Sequence, residues 1–164
     1  MKITKNLNNT IEFLTNDTYK QISTLGSFQF FIIVILILYF TLDIYNAFFL
    51  ALCFIIAKLI TIPIRLYFFK ERPNKIKHNN TFFEKVKSSS MPSLHAVRIT
   101  ILLLFFIQFF NYQIFITTFL IILTSLVIYS RIYKKRHYPI DLFIGIIIGI
   151  FTFYICKLIF NWIG

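Results

Sequence analysis

The sequence predicts an all-α integral membrane protein, a bundle of about five transmembrane helices preceded by an N-terminal amphipathic segment. Composition is the first reason. Hydrophobic residues fill 58% of the 164 positions and charged residues only 14%, where soluble domains carry roughly 25% charge. One soluble core of this size has no room for so much apolar side chain, so lipid must solvate part of it. Patterning is the second reason, because the apolar residues run in long stretches separated by short polar intervals. Charge is the third. Seventeen Lys and Arg face six acids, for a net charge of +11. In a soluble chain that balance would suggest nucleic acid. Beside these apolar runs it points to anionic headgroups or phosphorylated substrates, and no nucleic-acid partner is expected.

Residues 1–25 are too polar to span a bilayer, yet Ile3, Leu7, Ile11, Leu14, Ile22 and Leu25 fall roughly on one helical stripe. They read as an amphipathic segment on the membrane surface, or as a flexible tail. No cleavable signal peptide is expected, since no small-residue cleavage site follows the first apolar run. The stretch from Gln21 to Leu42 carries no charge and is strongly apolar from Ser27, a first span, and Asp43 marks a tight turn. Ile44 to Ile64 carries only Lys58 and forms the second span, continuing as helix toward Phe69. A polar stretch from Lys70 to Met91 is the one substantial loop. From Ser93 to Ser130 a single helix would reach about 57 Å, against a bilayer core of about 30 Å. Two shorter spans fit, turning at Asn111-Tyr112-Gln113. A basic loop from Arg131 to His137 leads into the last span, Pro139 to about Phe160.

This organisation divides the chain into the segment 1–25 and a transmembrane domain over 26–164. It also puts the 70–92 and 131–138 loops on one membrane face. Cys53 and Cys156 lie inside apolar runs and read as small buried hydrophobes. Gly145 and Gly149 form a small-xxx-small pair that lets a helix approach closely, within this bundle rather than between copies. Oligomeric state is open.

Three clusters at span ends carry the chemistry. Arg65 and Arg72-Pro73 are seven residues apart, a spacing that on one helix turns through about 700° and sends both guanidinium stems from one face. Pro73 then stops the helix. Lys58, a heptad earlier, extends the stripe inward. The alternative for these cations is snorkelling to headgroups. Pro92-Ser93-Leu94-His95 opens the third span, with Ser93 as helix N-cap and free amides where an anion binds. A histidine entering a membrane helix is expensive unless it works or is well paired. Ser130-Arg131, His137 and Asp141 form the third cluster. Pro139 suits the first helical position, with Asp141 in the first turn. From there the carboxylate can reach back to the His137 ring, fix its tautomer and free the other nitrogen as base or nucleophile. The plainer reading of Asp141 is capping of the helix dipole. Together the clusters read as a phosphate site with acid–base machinery. No carboxylate cluster is available for magnesium, so neither metal nor cofactor is expected.

These residues resemble the type 2 phosphatidic acid phosphatase superfamily, the lipid phosphate phosphatases related to vanadium haloperoxidases. Its pattern is Lys-x6-Arg-Pro, Pro-Ser-Gly-His and Ser-Arg-x5-His-x3-Asp. The chain has Arg65-x6-Arg72-Pro73, Pro92-Ser93-Leu94-His95 and Ser130-Arg131-x5-His137-x3-Asp141. The resemblance implies that His137 forms a phosphohistidine, oriented by Asp141, and that His95 is general acid for the leaving group. It implies that Arg65, Arg72, Ser93, Arg131 and the amide of Leu94 bind the phosphoryl oxygens. The implied substrate is a lipid phosphomonoester or diphosphate: undecaprenyl diphosphate, phosphatidate, phosphatidylglycerophosphate or lipid A phosphate. Two departures stand out. Arg65 replaces a point donor by a planar fork, and Leu94 replaces the glycine. The Leu94 version looks like that of inositol phosphorylceramide synthases, so a phospho-headgroup transferase is the alternative enzyme. A non-catalytic anionic-lipid-binding membrane protein is the alternative of another class.

The resemblance implies a bacterial cytoplasmic membrane with the site on the periplasmic face. Loop charge implies the opposite. Lys70, Lys75, Lys77, Lys85, Lys87, Lys134, Lys135 and Arg136 all lie on the site side, and only Lys157 lies near the other. The positive-inside rule would place such loops in the cytoplasm.

Overall fold

The computed structural model describes residues 14–41, 43–74 and 81–163. Over these the chain forms α1 (Leu14–Thr24), α2 (Phe28–Phe40), α3 (Ile44–Tyr67), α4 (Phe82–Ser88), α5 (Leu94–Phe109), α6 (Ile114–Tyr133) and α7 (Pro139–Ile163). Helices α3, α6 and α7 are each long and apolar enough to cross a bilayer. The α1–α2 pair passes the same test only together, bent by 46°, and α5 is a shorter apolar helix. The chain is an all-α, multi-pass membrane protein, with three helices among the described residues long and apolar enough to span, or four if the bent pair is one span.

The first span differs from its sequence expectation. Helix α2 holds 13 residues, about 20 Å of rise, and cannot cross a core of about 30 Å by itself. Helix α2 reaches spanning length only together with α1, as a broken span or a re-entrant loop. Ile3, Leu7 and Ile11, half of the expected surface stripe, lie outside the described residues, as do Lys75 and Lys77. Residues Leu14–Thr24 pack on the end of α6, where the Tyr19 ring lies 4.4 Å from that of Tyr133 and 5.8 Å from that of Tyr129. The break between α1 and α2 falls at Leu25-Gly26-Ser27, and Ser27 caps α2 by accepting from the Phe30 amide at 3.1 Å.

Other boundaries follow local chemistry as expected. The Asp43 carboxylate caps α3, accepting from the Asn46 amide at 3.3 Å and from Asn46 Nδ2 at 2.7 Å. The turn between α5 and α6 uses two consecutive left-handed residues, Asn111 at φ 51° and Tyr112 at φ 59°. Asparagine tolerates that region better than most residues.

Helix α5 is the hub, packing on α7 most extensively and on α6. Gly145 and Gly149 explain the closeness of α5 and α7. A Cβ on Gly145 would lie 2.8 Å from the Ser93 carbonyl oxygen, and one on Gly149 would lie 2.8 Å from Thr100 Cβ. The small-residue pair therefore serves packing inside the bundle. It also fixes the start of α5 against the start of α7, where the Ser93 amide donates to the Asp141 carbonyl at 3.0 Å. Away from that end, Phe31, Leu50, Cys53, Val97 and Ile101 form the buried apolar core. Cys53 and Cys156 are buried and free, as their apolar setting predicts.

Candidate active site

The polar loops meet at one end of the bundle. Lys70 Nζ pairs with Asp141 Oδ1 at 2.7 Å, and the Ser90 carbonyl bonds His137 Nδ1 at 2.8 Å. These bonds join the 70–92 and 131–138 loops on one face, as the span order requires.

Asp141 is fully buried at the third position of α7. Its Oδ2 accepts from the Tyr138 amide at 2.9 Å, the reach-back of an acid at this position to the capping residue. The same oxygen accepts a short bond from Ser90 Oγ, and Oδ1 takes Lys70. The direct Asp141–His137 contact expected from sequence is replaced by a relay: Asp141 holds Ser90, and the carbonyl of Ser90 holds the imidazole. The reason is local. Capping α7 turns the carboxylate toward the Tyr138 amide, and Ser90 fills the space between it and the ring. Lys70 Nζ also lies 4.4 Å from the Tyr138 ring centroid, which fixes it further.

A carbonyl only accepts, so Nδ1 of His137 carries the proton and Nε2 keeps its lone pair. Burial lowers the His137 pKa to about 3, with Arg131 the next cause, while the bond to Ser90 opposes the shift. Burial and the neighbouring guanidinium charge thus favour the neutral ring, with the Nε2 lone pair unprotonated.

His95 follows the Ser93 cap, whose hydroxyl accepts from the Ala96 amide at 3.5 Å. The first amides of α5, those of Leu94 and His95, have no intrahelical acceptor. His95 packs under the α1–α2 break: a Cβ on Gly26 would lie 3.1 Å from its Cδ2. The same Cβ would lie 3.1 Å from Val127 Cγ1, so a side chain at 26 would have to displace both neighbours by a few tenths of an ångström. The charges of Arg131, Arg98 and Arg72 and the ring of His137 all act on His95.

The arginines divide into two kinds. Arg65, 2% exposed, donates from Nε and Nη2 to the Pro92 carbonyl at 3.2 and 2.7 Å, and from Nη1 to the Val86 carbonyl at 2.6 Å. Its fork clamps the serine loop from behind, a geometry that a lysine could not reproduce. Arg72, Arg131 and Arg98 are less committed. Arg72 Nη2 donates to the Lys87 carbonyl and Arg131 Nη1 to Ser23 Oγ, both at 2.6 Å. The Nε atoms of Arg72, Arg98 and Arg131 are all buried with no partner among the described residues. Burial is the first cause of a lowered Arg72 pKa, with the charge of Arg136 second.

One expectation about Arg72 fails. Helix α3 ends at Tyr67, five residues before Arg72, so the two arginines do not share a helical face and Pro73 does not stop the helix. Tertiary bonds win over the helical pattern, since the Lys70 carbonyl takes the Ser90 amide at 2.7 Å while its side chain takes Asp141. Arg72 reaches the site from a loop.

Sequence reasoning missed Ser23, Lys70, Ser90 and Arg98. The first three are ordinary polar residues whose partners lie far along the chain, and nothing in their neighbourhood marks them. Arg98 carries a signal, a lone charge inside an apolar run three residues after His95. Among the described residues no group of three or more His, Cys, Asp or Glu is placed to hold a metal.

Two solved structures share this fold. LpxE of Aquifex aeolicus superposes with a TM-score of 0.72 at 22% identity, covering 88% of this chain and 86% of that one. A transmembrane PAP2-type phosphatidylglycerolphosphate phosphatase from Bacillus subtilis gives 0.72 at 19% identity, covering 92% and 79%. No curated protein sequence matches the chain significantly. The model of the PAP2 superfamily matches residues 46–164, which takes in the arginine, serine–histidine and arginine–histidine–aspartate clusters; the chain belongs to the PAP2 superfamily.

Proposed function

We propose that this protein is a membrane lipid phosphatase that works through a phosphohistidine on His137. The observation that carries this reading is the pair of guanidinium groups of Arg72 and Arg131, each with a buried Nε that has no acceptor among the described residues, whose charges act on both His95 and His137. A buried guanidinium N–H without an acceptor is costly, and a phosphoryl dianion would supply the missing acceptors. The name of one structural relative agrees: it is a phosphatidylglycerolphosphate phosphatase.

In this mechanism Arg72, Arg131, Ser93 and the amides of Leu94 and His95 hold the nonbridging oxygens. Arg65 adds charge and keeps the serine loop in place. Nε2 of His137 attacks phosphorus, and the bond to the leaving oxygen breaks with a proton from His95. Water then cleaves the phosphorus–nitrogen bond, releases inorganic phosphate and restores the imidazole. Guanidinium groups and amides neutralise the charge that a metal would otherwise meet. Phosphatidate, phosphatidylglycerophosphate, undecaprenyl diphosphate and lipid A phosphate are the candidate lipids.

The test is phosphate release from this panel by purified protein in detergent with EDTA. Wild type should turn over at least one lipid, and His137→Ala should lose about 10³-fold or more. Equal release by both proteins would sink the reading. Product formed only when an alcohol acceptor is supplied would favour the headgroup transferase suggested by Leu94.

A further inference from the structure

Arg98 and Lys58 are not used by the mechanism above. Arg98 lies three residues after His95 on α5, about 4.5 Å deeper in the bundle and about 60° round the helix. It is 8% exposed, makes no hydrogen bond or ion pair to any described residue, and leaves its Nε buried without an acceptor. Lys58 lies seven residues before Arg65 on α3, about 10 Å deeper. Among the described residues its Nζ lies over two aromatic rings, 5.6 Å from the Phe54 centroid and 5.9 Å from that of Phe28. The two cations line one cleft between α3 and α5, together with Ala57, Thr61, Leu94 and Val97. The cleft has a volume of about 10 Å³, room for one water, and its surface is almost wholly apolar, so an anion would have to meet the two charged heads outside it.

Two cations at membrane depth, without a carboxylate among their described contacts, are expensive as structural features. A lipid substrate lies with its reacting phosphoryl group at His137 and its tail in the bilayer. Whatever joins the two lies deeper than the histidines, on the level of Arg98 and Lys58. We propose that Arg98 and Lys58 form a second anion subsite, which takes a second phosphate on the lipid side of the scissile bond. This inference rests on the phosphatase reading and narrows it.

With a lipid diphosphate the balance is as follows. Nε2 of His137 bonds to the terminal phosphorus, and that phosphorus parts from the bridging oxygen. The electron pair stays on the lipid monophosphate, where Arg98 and Lys58 meet the developing charge. Water then releases the terminal phosphate from His137. A phosphatidylglycerophosphate offers the second phosphate too, but across a glycerol unit, which sets it farther from the scissile bond.

The experiment compares kcat/KM on four lipids in detergent: farnesyl diphosphate, farnesyl monophosphate, phosphatidylglycerophosphate and phosphatidate. The quantity read is the ratio of the two-phosphate lipid to the one-phosphate lipid within each protein, so the folded fraction cancels. Wild type should favour a two-phosphate lipid. Arg98→Gln should reduce that ratio at least about tenfold, Lys58→Gln should reduce it in the same direction, and Arg98→Lys should restore part of it. A fall confined to the farnesyl pair identifies an adjacent diphosphate, and a fall confined to the phosphatidyl pair identifies the glycerol-spaced phosphate. An unchanged ratio in both pairs overturns the subsite, and means that Arg98 serves packing or the reacting phosphoryl alone. No release from any lipid by wild type overturns the phosphatase reading itself.

Discussion

The two ends of the bundle are held together by different physics. At the site end, Arg65, His137 and Asp141 are buried and the contacts are directional: the Arg65 fork on two carbonyls, the Asp141–Ser90–His137 relay, the Lys70 ion pair. At the other end the contacts are aromatic. Phe49 lies 5.4 Å from both Phe153 and Phe160 and 6.3 Å from Phe105, and Tyr45 lies 4.5 Å from Phe160. These rings line a cavity of about 330 Å³. Directional polar contacts fix atoms to within a fraction of an ångström, which chemistry needs. Aromatic packing tolerates voids and supplies stability. One end sets geometry and the other holds the helices together.

That division can be broken from either side. The larger effect is expected from Asp141→Asn. The amide keeps the shape but loses the charge that holds Lys70 and one of the two acceptor oxygens, so either the Lys70 contact or the pair of bonds from Ser90 and the Tyr138 amide is given up. The His137 ring should then lose its register, and kcat should fall on the order of 10²-fold with KM changed little. The thermal midpoint should move little, because Lys70 is about a third exposed and such pairs add little stability. Retention of most of the kcat by Asp141→Asn would mean that the relay does not position the ring. The smaller effect on chemistry is expected from Phe105→Ala at the opposite end. It should cost about 3 kcal/mol of stability, seen as a lower midpoint in detergent, while specific activity of the folded protein stays near that of wild type. A matching loss of specific activity would show that the ends are coupled.

The legibility of these two ends also differs. The helices of the far end are plain in the apolar runs, because a charge-free stretch of about 20 residues matches the thickness of a bilayer and is too apolar to face water. The arginine–histidine–aspartate cluster is equally visible, since Arg131, His137 and Asp141 sit across a single loop and its spacing is local. Lys70 and Ser90 are not visible. Their partner Asp141 is 71 and 51 positions away, and no periodicity encodes a loop-to-loop contact. The length of the first span is hidden for a related reason. The helix before Ser27 is legible as an amphipathic stripe, but its polar face packs on the site end, where Ser23 meets Arg131, and that contact is not written in the local pattern. Arg65 stands out in the sequence, but as a ligand for phosphate; its bonds to Pro92 and Val86 show a clamp that sequence spacing does not reveal.

The central claim is that His137 attacks phosphorus through Nε2 while the Ser90 carbonyl holds Nδ1. The most direct test is to mix the protein with a lipid labelled in its terminal phosphate, quench in alkali and map the label. Phosphohistidine survives alkali and is lost in acid. The account predicts acid-labile label on the peptide that carries His137, and none in His137→Ala. Turnover with no label on His137, or with label on another residue, would contradict it.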